Sequence, residues 1–162
     1  MGRNFLVCLA GCLVVSTVWA QRADNRTIIG AGNEFLSAGS FAIRMGQYDE
    51  GIRLTHLGLT RYHPSQKDRA AALSNLCAAH AAKGEPDLAI PFCDESLGVT
   101  TRNWRAYNNR AYAYFLKGML SEATFDLDTA AAINPNGKQV IQLRGMINEV
   151  GLRPSVIMED HQ

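Results

Sequence analysis

This sequence has no appreciable excess of positive or negative charge. Its 16 lysines and arginines face 15 aspartates and glutamates, the formal net charge is +1, and no two basic residues are adjacent. That argues against an electrostatic grip on nucleic acid, which needs a basic patch or stripe. Aromatic residues are scarce at 8%. No apolar run reaches the roughly 20 residues that a membrane-spanning helix needs. Chemistry is thin as well. The histidines, His56, His63, His80 and His161, stand near no recognisable pairing of acid and nucleophile, and there is no Gly-rich phosphate loop. The expectation is therefore a protein without catalytic residues, cofactor or bound metal. What remains is a chain of 162 residues, 47% of them hydrophobic. That length suits one domain with its own core, and the composition is too apolar for a disordered tail.

Part of that hydrophobicity is concentrated at the start. Arg3 is followed by an apolar stretch from Phe5 to Val18, then by Trp19, Ala20 and a sharp rise in polarity through Arg22, Asp24 and Arg26. A charge, a short apolar run and a small residue at the end form the layout of a secretory signal peptide. The expectation is cleavage after Ala20, leaving a mature chain with equal numbers of acidic and basic side chains and no membrane insertion. Leu9-Ala10-Gly11-Cys12 offers a lesser alternative, lipoprotein anchoring at Cys12. Either reading places the protein outside the cytoplasm, in a periplasm or the extracellular space.

The remainder repeats itself. The interval from Gly84 to Gly118 equals that from Ala89 to Ala123. This period of about 34 residues is within the range of stacked repeat units. The interval from Gly46 to Gly84 is longer, implying four extra residues within 62–69. Each glycine suits a turn that ends one helix and needs positive φ. Five residues later comes a small residue (Gly51, Ala89, Ala123) and seven beyond that another (Gly58, Ser96, Ala130). Seven residues is about two helical turns, so both lie on one face, where small side chains let a preceding helix approach closely. Each unit is an antiparallel helix pair that must stack on its neighbours.

With these residues in view the chain resembles the tetratricopeptide repeat family. The third unit carries Trp104, Tyr107, Ala111, Tyr114, Gly118, Leu120, Ala123, Ala130 and Pro135 at the family's spacings, in a run typical of bacterial members. The second keeps Leu73, Leu76, Gly84 and Ala89 but has Cys77 at a small site and Pro91, expected to kink the second helix. The first is degenerate. The resemblance implies an all-α, right-handed solenoid of helix-turn-helix repeats over 32–69, 70–103 and 104–137, with a C-terminal capping helix over 138–150. Gly151 and Pro154 are expected to break the chain after it, leaving poorly ordered segments at 21–31 and 151–162.

Two cysteines remain after the signal. Cys77 and Cys93 stand eight residues on either side of Glu85, so helices turning there bring them face to face. In an exported protein this suggests a disulfide, which for a loop of this length would stabilise by roughly 3 kcal/mol. The alternatives are two reduced core thiols, or a metal site using Cys77, His80 and Cys93, for which no convincing fourth ligand is present.

In the family, the first helices line a groove that binds peptides. The resemblance places Asn75, Arg105, Asn108, Asn109, Tyr112 and Phe115 there. Asn75 and Asn109 are one repeat period apart, hence stacked equivalents, suited either to pairing with a peptide backbone or to bracing neighbouring helices. The family's clamp for a terminal carboxylate is matched by Asn75 and Arg105 but not by Leu36, Ser40 and Asn109. Tyr112, Phe115 and Leu116 beside Ala78 and Ala82 suggest an apolar pocket between units two and three, unless the capping helix covers them. The implied function is a non-catalytic adaptor for a protein or peptide partner in the cell envelope. A metal-binding protein or enzyme built on the Cys77, His80 and Cys93 cluster, and a structural assembly subunit, are the other readings.

Overall fold

A computed structural model describes residues 33–152. The expected export signal, the segment 21–31, Cys12 and nearly all of the C-terminal tail lie outside the described residues. Seven helices follow in order: α1 (Glu34–Arg44), α2 (Tyr48–Arg61), α3 (Gln66–Ala82), α4 (Pro86–Val99), α5 (Trp104–Leu116), α6 (Leu120–Ile133) and α7 (Lys138–Leu152). There is no strand among the described residues. The helices pair as α1/α2, α3/α4 and α5/α6, and α7 packs on α5 and α6, giving an all-α helical-repeat solenoid.

Local chemistry sets these boundaries. The side chains of Asn33, Ser65 and Asn103 each accept a backbone N–H from the first turn that follows, capping α1, α3 and α5. The first helix of every hairpin ends at a glycine with φ of 76°, 77° or 72°, at Gly46, Gly84 and Gly118. At each, the next residue donates its N–H back across the turn: Gln47 to Ala42 O, Glu85 to His80 O and Met119 to Tyr114 O, all at 2.9 Å. This is the Schellman closure, and its left-handed residue is why glycine recurs with the repeat.

The four extra residues between the first two units form an additional helical turn. α3 begins at Gln66 and has 17 residues against 13 in α5. α4 runs through Pro91, with the ring on its exposed side. So near the helix start, proline forfeits one bond, to the carbonyl of Asp87. The capping helix is two residues longer than expected. Gly151 lies within its last described turn.

The core is built of small residues. Ala81, Ala89, Ala106 and Ala113 surround Cys77 and Cys93, while Ala111, Ala123 and Ala130 pack with Leu127 beneath Val140, Leu143 and Ile147 of α7. The helices approach closely enough that Gly39 has no room for a side chain. A Cβ there would sit 2.5 Å from Thr55 Oγ1 and 3.0 Å from the Gly51 carbonyl. At the equivalent place in α7, Gly145 has nothing within 4 Å. Gly39→Ala is therefore expected to destabilise by about 1–2 kcal/mol, overpacking outweighing the gain in helix propensity. Gly145→Ala should be neutral or stabilising by up to about 1 kcal/mol. Urea unfolding of the two variants side by side checks both signs.

Candidate functional site

The odd-numbered helices lie side by side, so residues one repeat period apart stack on one face. Between α3, α5 and α7 that face opens into a pocket of about 300 Å³. Ala78 and Ala82 come from α3, Asn108, Asn109 and Tyr112 from α5, and Gln139, Gln142, Leu143 and Met146 from α7. None of these side chains is charged.

Three of the residues expected in the groove therefore line the pocket, with distinct roles. Asn108 is buried at 7% exposure, and its Oδ1 accepts no hydrogen bond. Asn109 donates from Nδ2 to the Ser74 carbonyl at 3.0 Å and to Ser74 Oγ at 3.2 Å, so it braces α5 against α3. Tyr112 is half-buried on the wall. Asn75 is half-buried on α3, outside the pocket lining. Arg105 is exposed, with its guanidinium 4.6 Å from the Trp104 ring centroid. Phe115 also lies outside the lining: it stacks on Tyr112 at 6.4 Å and packs into the core beneath α7.

The capping helix was expected at most to cover these side chains; α7 also contributes lining residues of its own, and their signal is in the repeat. Gln142 and Met146 stand one repeat period after Asn108 and Tyr112. The capping helix is thus the first helix of a fourth unit in register, and it supplies the far wall.

Cys77 and Cys93 are fully buried and face each other, with Cα atoms 5.3 Å apart and sulfurs at the bonding distance of 2.09 Å. His80 is engaged elsewhere. Its Nδ1 lies 2.8 Å from Glu85 Oε2, and its ring stacks on Phe92 at 5.4 Å. Among the described residues no three His, Cys, Asp or Glu side chains are grouped to hold a metal. Glu85 is held below the usual carboxylate range by its hydrogen bond with His80 and then by Lys83. Lys83 is pushed up by Asp49 and then by Glu85, and its bond to Asp49 at 2.7 Å ties α2 to the second hairpin.

A second concavity of about 300 Å³ lies between α5 and α6, lined by Arg110, Tyr114, Ser121, Glu122, Phe125 and Asp126. Two of its charges, Arg110 and Asp126, are already paired. Arg110 meets Asp126 through two hydrogen bonds of 2.7 and 2.8 Å and reaches Asp94 on α4 at 2.5 Å. These acids raise the guanidinium pKa, Asp126 most strongly, and burial raises that of Tyr114.

No family model matches the chain. A curated human protein described as FK506-binding protein-like is 32% identical over 129 residues, covering 75% of this chain. The match spans 36% of that protein's length. Among solved structures, the second tetratricopeptide domain of human RPAP3, in complex with the HSP70 peptide SGPTIEEVD, superposes with a TM-score of 0.59 at 20% identity. It covers 70% of this chain and 92% of that one. The Hsp90 co-chaperone Cns1 from Saccharomyces cerevisiae superposes with a TM-score of 0.64 at 19% identity, covering 72% of this chain and 38% of that one. At these identities the likeness is one of fold.

Proposed function

We propose that this chain, which has the tetratricopeptide-repeat fold, is a non-catalytic adaptor that holds a segment of another protein along the face of its odd-numbered helices. The observation that carries this reading is the uncharged pocket between α3, α5 and α7, placed where the repeat stacks its groove residues. The RPAP3 domain in complex with an HSP70 peptide supports it. That peptide ends in acidic residues, whereas here the clamp positions hold Leu36, Ser40 and Asn109, the last bound to Ser74. A terminal carboxylate is therefore not the ligand we assign.

The adaptor works outside the cytoplasm, with Cys77 and Cys93 oxidised. Supporting this are the signal-like segment ending at Ala20 and the paired sulfurs. The intact mass of the exported protein is expected to match a chain starting at Gln21 with two hydrogens lost. A mass retaining the leader would count against export processing.

Photo-crosslinking tests the groove. A photoreactive residue in place of Tyr112 is expected to capture partner segments. The same group in place of Phe125, which is 72% exposed on α6, should capture few. Equal yields from both positions would sink the groove reading.

A further inference from the structure

In the second and third units the first helix is covered by the second. Cys77 of α3 is fully buried against Cys93 of α4, and Ala111 of α5 against Ala123 and Leu127 of α6. The next residue of this series, one period on, is Gly145 of α7. It is exposed, and no described atom lies within 4 Å of where its Cβ would be. Ile141, one period after the half-buried Tyr107, is 61% exposed on the same face. Charge follows the same repeat. Arg110 is held by Asp94, 16 residues before it, and by Asp126, 16 residues after it. Arg144 stands one period later and holds Asp128, the counterpart of Asp94, at 2.8 Å. The counterpart of Asp126 is Asp160.

We propose that the open face of α7 is covered by residues 154–162 of this chain, which lie outside the described residues, as the second helix of a fourth repeat. The sequence places the matching chemistry there. Pro154 falls two periods after Pro86, which opens α4, and a proline at a first helical position gives up only an N–H that has no partner within the helix. Ile157 falls at the position of Ala89 and Ala123, both fully buried in the hairpin cores. Asp160 brings a second carboxylate to Arg144, and His161 comes opposite Gly145 as Cys93 comes opposite Cys77. The lengths agree. Helical residues 154–162 rise about 13 Å, and α7 rises about 12 Å from Arg144 to Leu152. Seating the segment opens the last turn of α7 at Gly151, one residue ahead of the place of Gly84 and Gly118, where glycine takes the same left-handed backbone. Ile141, a turn beyond the segment's reach, stays open. Since α7 forms the far wall of the pocket, the segment also steadies that wall. None of this depends on the groove reading.

The test is cysteine pairing and hydrogen exchange in the full chain. Gly145→Cys, at a position with open space, is combined in turn with Glu159→Cys, His161→Cys and Ser155→Cys, and the bonds formed in air are mapped by mass spectrometry. Pairing with position 159 or 161 is expected at least about fivefold above pairing with 155, which lies beyond the roughly 7 Å Cα separation a disulfide tolerates. Without any cysteine change, the amides of 156–162 should exchange at least about tenfold more slowly than in a free peptide of the same sequence. Arg144→Ala should return them to the peptide rate while leaving exchange in α5 and α6 unaltered. Equal pairing at 155 and 161, or peptide-rate exchange over 156–162 in the unmodified chain, overturns the inference. A covalent dimer joined through positions 145 and 161 would overturn it as well, by assigning the face to a second copy.

Discussion

Asp126→Ala should cost about 3 kcal/mol of stability, the loss expected when one partner of a buried ion pair is removed. Asp126 is 1% exposed and receives two hydrogen bonds from Arg110, which is itself largely buried between α5 and α6. Truncation leaves a desolvated guanidinium holding Asp94 alone. That remaining partner is half-exposed, and such pairs contribute at most about 1 kcal/mol. Asp94→Ala should therefore fall below about 1 kcal/mol, and the contrast between the two aspartates is the measurement. Replacing both partners of the buried pair, as Arg110→Met with Asp126→Leu, should recover most of the loss, because no orphaned charge remains. Hydrogen exchange should show α5, α6 and α7 losing protection ahead of the first hairpin, since a repeat contacts only its neighbours. An Asp126→Ala loss no larger than that of Asp94→Ala would remove the pair from any account of this core.

The turns were legible because their chemistry is local. Gly46, Gly84 and Gly118 announce left-handed backbone, and the small residues after them mark where helices touch. The facing of Cys77 and Cys93 followed from the same turn geometry. The same sequence separation also joins Arg110 to Asp126, Asp94 to Arg110, and Asp128 to Arg144. Those ion pairs were within reach of the argument applied to the cysteines. Two features were not. The extra turn of α3 could equally have been a longer loop, because Gln66, Lys67, Asp68 and Arg69 carry no apolar periodicity. The state of the groove amides depends on packing across three helices. Asn109 found Ser74 while its neighbour Asn108 was left unpaired, and nothing in the adjacent asparagines separates the two beforehand.

Replacing both cysteines, as Cys77→Ala with Cys93→Ala, should destabilise the oxidised protein by roughly 3 kcal/mol, the loop-closure contribution for a sequence separation of 16. The loss is expected to fall on the hairpin that the bond closes. α4 lacks one backbone bond at Pro91 and depends on Cys93, Ala89 and Leu97 to stay against α3. Both sulfurs are fully buried, so a reductant reaches them only when this hairpin opens. Thiol release from the native protein should therefore be slow, and urea should accelerate it in step with unfolding. The groove ought to register the change. Ala78, next to Cys77 on α3, forms part of the pocket wall, so loosening α3 moves that wall relative to Asn108 on α5. The cysteine-free protein is thus expected to crosslink partner segments from position 112 several-fold less at a temperature where it is still folded. Urea midpoints that coincide for the cysteine-free and untreated proteins would mean that Cys77 and Cys93 are thiols in the native chain. The hairpin would then rest on side-chain packing, with Ala89 and Leu97 against α3, and on no covalent link.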